Sequence, residues 1–214
     1  MAIQTTHFRN NRSSIPLRVA RGHFATVHSH LNWYLDFTIT KHRLSEARTA
    51  AAELANAFKT SALVDTILCL DGTEVIGACM ADELTKAGIR SLNAHQAIYV
   101  VTPEYAAGSQ MIFRENATLM IQNRHVLVLA ASLATGYTAS EAIDTIRYYG
   151  GTPVGICAVF SAVTECAGLP VTSIFGSREI EDYESVSPAD CPQCKAGVKL
   201  DAMINSYGIS SFHR

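Results

Sequence analysis

Short apolar runs alternate with amphipathic stretches along residues 44–176, and this alternation is the strongest pattern in the chain. The runs predict buried strands at 64–70, 97–101, 126–131, 153–160 and 171–175. The stretches between them repeat apolar residues at the helical period and predict helices at 44–58, 73–87 and 138–149. Apolar strands that alternate with helices are typical of a parallel sheet covered on both faces, so the pattern predicts an α/β fold.

The two ends of the chain lack this alternation. Residues 1–30 are polar and rich in His, Arg and Ser, which predicts an irregular arm, whereas the aromatic and β-branched residues at 31–40 predict a strand. The tail from residue 177 is acidic and then turn-rich, which predicts a segment that wraps the surface. We therefore expect one domain over residues 1–214, which consists of an N-terminal arm (1–42), an α/β core (43–176) and a C-terminal tail (177–214).

Composition narrows the class of protein further. The 214 residues are 48% hydrophobic and 17% charged, which excludes a disordered chain. The net charge of -2 offers no basic face, so we expect no nucleic-acid partner. Because no run of about 18 apolar residues occurs, we expect no membrane span. The polar start lacks the apolar stretch of a secretory signal, and Cys69, Cys79 and Cys157 lie in apolar segments, so we expect a cytoplasmic protein with reduced thiols.

The stretch 125–151 carries the clearest chemical pattern, because its apolar strand runs directly into a Thr/Gly loop and then a helix. Unpaired amides and the helix dipole at such a position suit a phosphate, and Gly136 lets the backbone approach it closely. The alternative is a simple turn with Thr138 as the helix cap, since short Gly/Thr loops are weak signals. The predicted phosphate-binding residues are Ser132, Leu133, Ala134, Thr135, Gly136, Tyr137 and Thr138.

This segment resembles the phosphoribosyl diphosphate (PRPP) motif of type I phosphoribosyltransferases, most nearly the orotate branch. The residues 133–136 (LATG) match the loop, and 148–151 (YYGG) match the end of the helix. The resemblance spans roughly residues 20–200. It implies a central parallel sheet with helices on both faces and a small N-terminal hood. It also implies phosphoribosyl transfer between PRPP and a nitrogenous base in pyrimidine nucleotide metabolism, with Mg²⁺ as the sole cofactor, in a homodimer.

The same resemblance implies roles for other segments. Residues 28–36 (HSHLNWYLD) match the segment that covers the base, so Trp33 and Tyr34 are candidates to stack on it; plain core or dimer packing is the alternative. Residues 70–77 fall where the family places its pyrophosphate loop, which here contains Asp71, Gly72, Thr73 and Glu74. The two carboxylates would bridge Mg²⁺, or else Asp71-Gly72 is only a turn and Glu74 a residue of the first helical turn.

Two departures from the family pattern bear on catalysis. Ala130 and Ala131 stand where the family has two carboxylates that accept hydrogen bonds from the ribose hydroxyls. The presumed hood loop has no Lys or Arg at 102–113, and only Arg114 lies nearby, so the charge of departing pyrophosphate is poorly neutralised. No catalytic residue is therefore assigned, and activity with orotate is doubtful. The alternative is a non-catalytic regulatory protein that binds a nucleotide or another phosphorylated ribose compound.

Two further groups of residues are a cysteine pair near the C-terminal end and three histidines near the N-terminal end. Cys191 and Cys194 have the spacing of zinc ligands and match a CPxCxxG found in some family members, but one pair supplies only half of a four-ligand site. His213 or a second subunit would have to complete it, so no metal site is predicted. His23, His28 and His30 would line a pocket if they alternated on a strand, or else they are exposed polar residues.

Overall fold

A computed structural model describes residues 6–8, 13–86, 91–94, 96–106 and 110–212. Its strands are β1 (Thr6–Phe8), β2 (Leu17–Ala25), β3 (His30–Asp36), β4 (Thr66–Cys69), β5 (Tyr99–Val101), β6 (Glu104–Tyr105), β7 (Met111–Ile112), β8 (His125–Leu133), β9 (Thr152–Ser161), β10 (Glu165–Cys166), β11 (Leu169–Gly176), β12 (Ser185–Val186), β13 (Ala202–Asn205) and β14 (Gly208–Ser211). Its α-helices are α1 (Thr38–His42), α2 (Leu44–Ala55), α3 (Glu74–Thr85), α4 (Glu115–Thr118), α5 (Tyr137–Tyr148) and α6 (Pro192–Lys195).

The chain divides into two compact units. The central unit, Thr40–Gly176, contains the predicted α/β core, and the second unit combines Met1–Ile39 with Ser177–Arg214. No helix in the described ranges is both long enough and apolar enough to cross a membrane.

The central unit is built on a sheet with the strand order β10-β11-β9-β8-β4-β5. The pairs β11–β9, β9–β8, β8–β4 and β4–β5 are parallel, and β10 is antiparallel to β11. Each apolar run that predicted a strand forms one of these parallel strands, with ends that differ by a few residues. The expectation of an α/β fold with a parallel central sheet is therefore confirmed.

Helices cover both faces of this sheet. On one face, the buried residues of α5 pack in one cluster with Val126, Val128 and Ala130, which are alternate residues of β8. On the other face, α3 approaches so closely that a Cβ at Gly77 would overlap the sulfur of Cys69. The same close approach occurs at Gly155, where a Cβ would lie 2.7 Å from the ring of Phe58. The absence of a side chain at Gly77 and Gly155 therefore allows Cys69 and Phe58 to pack this closely against them.

The second unit is a sheet that the sequence pattern did not predict. Its strand order is β12-β3-β2-β13-β14, and β1 also pairs with β2. The expectation of an irregular arm at 1–30 is wrong, because β2 lies inside that range. So is the expectation that the tail only wraps the surface, because it supplies β12, β13 and β14. The register of β2 against β3 shifts between Arg21 and Phe24, and this irregularity interrupts the two-residue period by which a strand is recognised.

The strand predicted at 31–40 is also shorter than expected. It ends at Asp36, whose side chain accepts a hydrogen bond from the N–H of Thr38 at 2.9 Å. The next residues form the short helix α1. Asp36 therefore ends the strand by capping the turn that follows it.

Candidate functional site

The predicted phosphate loop lies between β8, a central strand of the parallel sheet, and α5. Gly136 is the N-cap of α5 and has φ +79°, a left-handed conformation that favours glycine. The helical bond from Ser140 N–H to Gly136 O measures 2.9 Å, so the amides of residues 137–139 precede the regular ladder. A 12-residue helix that starts at the carboxyl end of a parallel strand is the arrangement that binds phosphate in open α/β sheets.

The strand β10 holds this loop in place. The thiol of Cys166 donates to Gly136 O at 3.2 Å. A Cβ built on Gly136 would lie 3.2 Å from the same sulfur and 3.6 Å from Val163 Cγ2. Glycine is therefore favoured at position 136 for two reasons. The backbone angle is left-handed, and Cys166 and Val163 leave little space for a Cβ.

The seven predicted phosphate-binding residues divide into two groups. Ser132 and Leu133 are the last residues of β8, where they pair with Phe160 and Ser161 of β9. Ala134, Thr135, Gly136, Tyr137 and Thr138 form the turn and the start of the helix. Thr135 and Tyr137 are exposed, and Thr135 Oγ1 lies 3.4 Å from the N–H of Tyr137. The second group is the one whose position suits an anion.

The loop that follows β4 is the neighbour of the phosphate loop at the carboxyl edge of the sheet. The two preceding strands pair in parallel, with Cys69 opposite Leu129. Asp71 and Gly72 both have positive φ, at +59° and +74°, and make a tight turn. Thr73 is fully buried, and its hydroxyl donates to Leu70 O at 2.7 Å. The tight turn and the Thr73 hydrogen bond together define the shape of this loop.

Asp71 turns inward from this loop. Its carboxylate accepts a hydrogen bond from the backbone N–H of Ala131. Burial raises the pKa of Asp71, and the neighbouring Lys41 and the Ala131 N–H oppose that rise only in part. Glu74 is exposed at the first position of α3. The structure thus places Asp71-Gly72 in a turn and Glu74 in the first turn of α3.

Lys41 is a residue at this loop that the sequence reasoning missed. Its ammonium donates to Asp71 O at 2.7 Å, and the residue is only 6% exposed. It lies in the short helix α1, which the sequence analysis assigned to a strand and its flank. No motif marks such a lysine, because its role depends on a contact 30 positions away.

Ala130 and Ala131 are closed in by packing. Ala130 is 0% exposed, pairs with Ala158 of β9 and belongs to the cluster beneath α5. Ala131 is 4% exposed. The two positions that would hold the ribose-binding carboxylates are therefore occupied by buried methyl groups.

The presumed hood loop contains a short hairpin. Glu104 of β6 pairs with Ile112 of β7, and residues 107–109 lie outside the described residues. The nearby cation, Arg114, forms an exposed ion pair with Glu104 at 2.8 Å. Its charge is therefore partly neutralised within the loop itself.

Trp33 and Tyr34, the candidate base-covering residues, lie on β3 in the sheet of the second unit. Tyr34 is buried against Phe24, with ring centroids 6.0 Å apart. Burial, with Asp36 as a second cause, raises its pKa to about 12. Trp33 donates its indole N–H to Glu181 O at 3.2 Å and lies under the guanidinium of Arg21. Tyr34 thus packs as a core residue, whereas Trp33 is half-buried on the sheet face.

A second cluster of candidate functional side chains lies in the second unit. It consists of His23, His30, Cys191 and Cys194, whose ligand atoms all lie within 4.8 Å of one another. The sequence showed the two cysteines at zinc-ligand spacing but predicted no metal site, and the structure places two histidines beside them. His28 is exposed in the turn between β2 and β3, and His213 lies outside the described residues. Long-range pairing of a strand with the tail creates this cluster, so no local spacing could reveal all four members.

Comparison with the sequences of known proteins gives a short partial match. No family model matches the chain. A segment of 63 residues is 33% identical to the transcriptional regulator GfcR of Methanocorpusculum labreanum, and the match covers 28% of this chain and 32% of that protein. The match thus spans about a third of the length of that regulator.

Three solved structures show the same architecture. The orotate phosphoribosyltransferase of Mycobacterium tuberculosis H37Rv superposes with a TM-score of 0.51 at 17% identity, over 77% of this chain and 93% of that one. The UMP synthase of Leishmania donovani gives 0.55 at 18%, over 75% and 34%. The adenine phosphoribosyltransferase of Leishmania donovani gives 0.54 at 14%, over 75% and 78%. The chain therefore has the type I phosphoribosyltransferase fold, as its PRPP-like segment predicted.

Proposed function

We propose that this chain is a regulatory protein that binds a nucleotide or another phosphorylated ribose compound on the loop 132–138 and does not transfer the phosphoribosyl group. One observation supports this proposal above all. The loop keeps the backbone geometry of a phosphate site, with left-handed Gly136 at the start of α5, while Ala130 and Ala131 beside it are buried methyl groups.

The absence of the carboxylate pair and of cations at 102–113 lowers the rate of phosphoribosyl transfer more than it lowers the affinity for a phosphate. Phosphoribosyl transfer requires the ribose to be held and the charge of departing pyrophosphate to be stabilised. Each lost electrostatic contact to a transition state costs roughly 2.7–4 kcal/mol, by analogy with one oxyanion-hole donor. Two such losses slow turnover by a factor of at least about ten thousand, because 1.36 kcal/mol is a factor of ten. A phosphate bound to backbone amides at a helix start loses none of these contacts.

The partial match to a transcriptional regulator favours the same proposal. The matched protein is named as a regulator and not as a transferase, although the match covers only 32% of it. Mg²⁺ would enter with PRPP if PRPP is the ligand, since this cation is commonly held by substrate phosphates.

Calorimetric titration of the full chain with PRPP, ribose 5-phosphate and nucleoside monophosphates, each with and without Mg²⁺, tests the binding. A steady-state assay of PRPP consumption with orotate and a panel of other bases tests the chemistry. We expect saturable binding of at least one phosphorylated ribose compound and no enzymatic turnover. Turnover on the order of 1 per second or faster would show an active transferase. Failure of every compound to bind at millimolar concentration would refute a phosphate site on this loop.

A further inference from the structure

We infer that His23, His30, Cys191 and Cys194 form a structural zinc site that fastens the tail segment around α6 to the sheet of the second unit. The inference is independent of the proposed function, since all four residues belong to the unit that lacks the phosphate loop. Two thiolates and two imidazoles are the usual donor set of a closed, tetrahedral zinc site.

The distances among the ligand atoms fit one ion. Zinc bonds of about 2.0–2.1 Å to nitrogen and 2.3 Å to sulfur place tetrahedral ligands about 3.3 Å apart for two nitrogens and about 3.6 Å for nitrogen and sulfur. His23 Nε2 and His30 Nδ1 are 3.2 Å apart. Cys191 Sγ lies 3.4 Å from His23 Nε2, and Cys194 Sγ lies 3.6 Å from His23 Nε2 and 3.3 Å from His30 Nδ1. These four separations are close to those of a tetrahedral zinc site, and all four ligand atoms lie within 4.8 Å of one another.

The other ring nitrogen of His23 has the partner that a zinc-bound histidine normally has. Its Nδ1 lies 3.0 Å from the carbonyl oxygen of Val198, which accepts only when Nδ1 carries the proton. In that tautomer the unprotonated Nε2 faces both sulfurs. The backbone of His23 is held as well, because its N–H donates to Asp201 Oδ2 and its carbonyl accepts from Asp201 N–H, both at 2.8 Å.

Local structure brings the four residues together from three segments. The register irregularity of β2 after Arg21 lies beside His23, and a turn closed by Thr26 and Ser29 returns the chain to His30 at the start of β3. Cys191 caps the short helix α6, which has Pro192 at its first turn and carries Cys194 one turn later. His23 and Cys191 are buried and Cys194 is exposed, so an ion can enter from the side of Cys194.

Zinc binding at this site needs no oxidant, reductant or other co-reactant. The two thiols release two protons as Zn²⁺ binds, and two thiolates with two neutral imidazoles leave the site with no net charge. All four coordination positions are filled by protein, which leaves no open position for a substrate and defines a structural rather than catalytic ion. Because Cys191 and His23 are 168 positions apart, the ion closes a long loop of the chain.

The experiment measures the metal content of the full chain, purified under reducing conditions without chelators, by plasma mass spectrometry. We expect close to one zinc per chain, and little or none in Cys194→Ser and His30→Gln. Cys79→Ser and His28→Gln are matched controls, since both residues lie outside the cluster, and they should keep the ion. Trypsin should cleave after Lys195 or Lys199 faster once a chelator has removed the zinc.

A second measurement keeps the inference testable if the variants fail to fold. The unaltered chain, stripped of zinc and refilled with Co²⁺, should show the intense visible absorption of tetrahedral cobalt together with thiolate-to-metal charge transfer. A weak octahedral spectrum, a metal-free chain that binds no Co²⁺ with its thiols reduced, or iron in place of zinc would each overturn the assignment. Zinc that stays bound in Cys194→Ser and His30→Gln would place it at another site.

Discussion

Gly136→Ala is the substitution that separates the geometry of the phosphate loop from ordinary backbone strain. The residue has φ +79°, and a Cβ would meet Cys166 Sγ at 3.2 Å. Gly168 is a matched control, because it also has φ +79° but has nothing within 4 Å of an added Cβ. Gly168→Ala therefore measures the cost of the backbone angle alone.

The expected magnitudes follow from these two environments. The left-handed conformation costs a non-glycine residue roughly 1–2 kcal/mol, and the loss of freedom in the unfolded chain returns about 0.4–1 kcal/mol. Gly168→Ala should thus lose between about 0 and 1.6 kcal/mol. Gly136→Ala must also displace the Cys166 sulfur by a few tenths of an ångström, and overpacking adds about 1–3 kcal/mol. At about 2–4 °C per kcal/mol, Gly136→Ala should melt about 2–12 °C below Gly168→Ala.

Ligand binding gives the second readout. We expect Gly136→Ala to weaken the tightest-binding phosphorylated ribose compound at least tenfold, about 1.4 kcal/mol, because the methyl group shifts the amides at the start of α5. Gly168→Ala should bind as the unaltered chain does. Differential scanning calorimetry and titration calorimetry on the three proteins measure both effects. Equal melting temperatures for the two variants, together with unchanged binding by Gly136→Ala, would refute the assignment of this loop.

Three further substitutions test the packing around the site. Thr73→Val removes the buried hydroxyl that donates to Leu70 O and should cost about 1–3 kcal/mol in urea unfolding, whereas Thr73→Ser should keep most of that stability; an equal loss in both variants would argue against the hydrogen bond. Asp71→Asn should raise the free energy of unfolding at pH 7, because burial raises the pKa of Asp71 and its ionised form therefore disfavours the folded state. That difference should vanish below about pH 3.9, where the carboxyl is neutral in both states, and a loss of stability at pH 7 would show that attraction to Lys41 dominates. Gly77→Ala should destabilise by about 1–3 kcal/mol despite better helix propensity, because its Cβ overlaps Cys69 Sγ; a double-mutant cycle with Cys69→Ala should recover part of that loss, and strictly additive effects would contradict the contact.

The elements of the central unit could be predicted from the sequence because their signals are local. The strand β8 is apolar on both faces, since α5 covers one face and Phe58 and α3 lie on the other. A run of this kind needs no knowledge of its partners to be recognised. Gly136 marks the following loop for the same reason, because one backbone angle at one position decides it.

The sheet of the second unit could not be predicted, because its strands pair between segments that are far apart in the sequence. In β2 the residues Arg21 and His23 interrupt the apolar pattern, and the strand is completed by β13, from the far end of the chain. The cluster around His23 arises from the same pairing. A CxxC pair is visible in the sequence, but the two histidines that face it are separated from it by more than 160 positions. Lys41 escapes notice in the same way, since its partner is a backbone carbonyl rather than a motif.

The packing around Ala130 argues that the absence of the acidic pair is part of how this fold is stabilised. A carboxylate at Ala130 would have to displace apolar side chains of the cluster under α5. Burying an unpaired charge costs several kcal/mol, a large share of the 5–15 kcal/mol that typically holds a domain together. Ala131 has already given its amide to the Asp71 carboxylate, so this stretch of the strand satisfies its polar groups internally. The phosphate loop has no such conflict, because Thr135 and Tyr137 lie exposed at its edge rather than in the core. On the proposed function, a chain built this way holds its ligand on backbone amides, while its own core excludes the carboxylates that would bind the ribose hydroxyls.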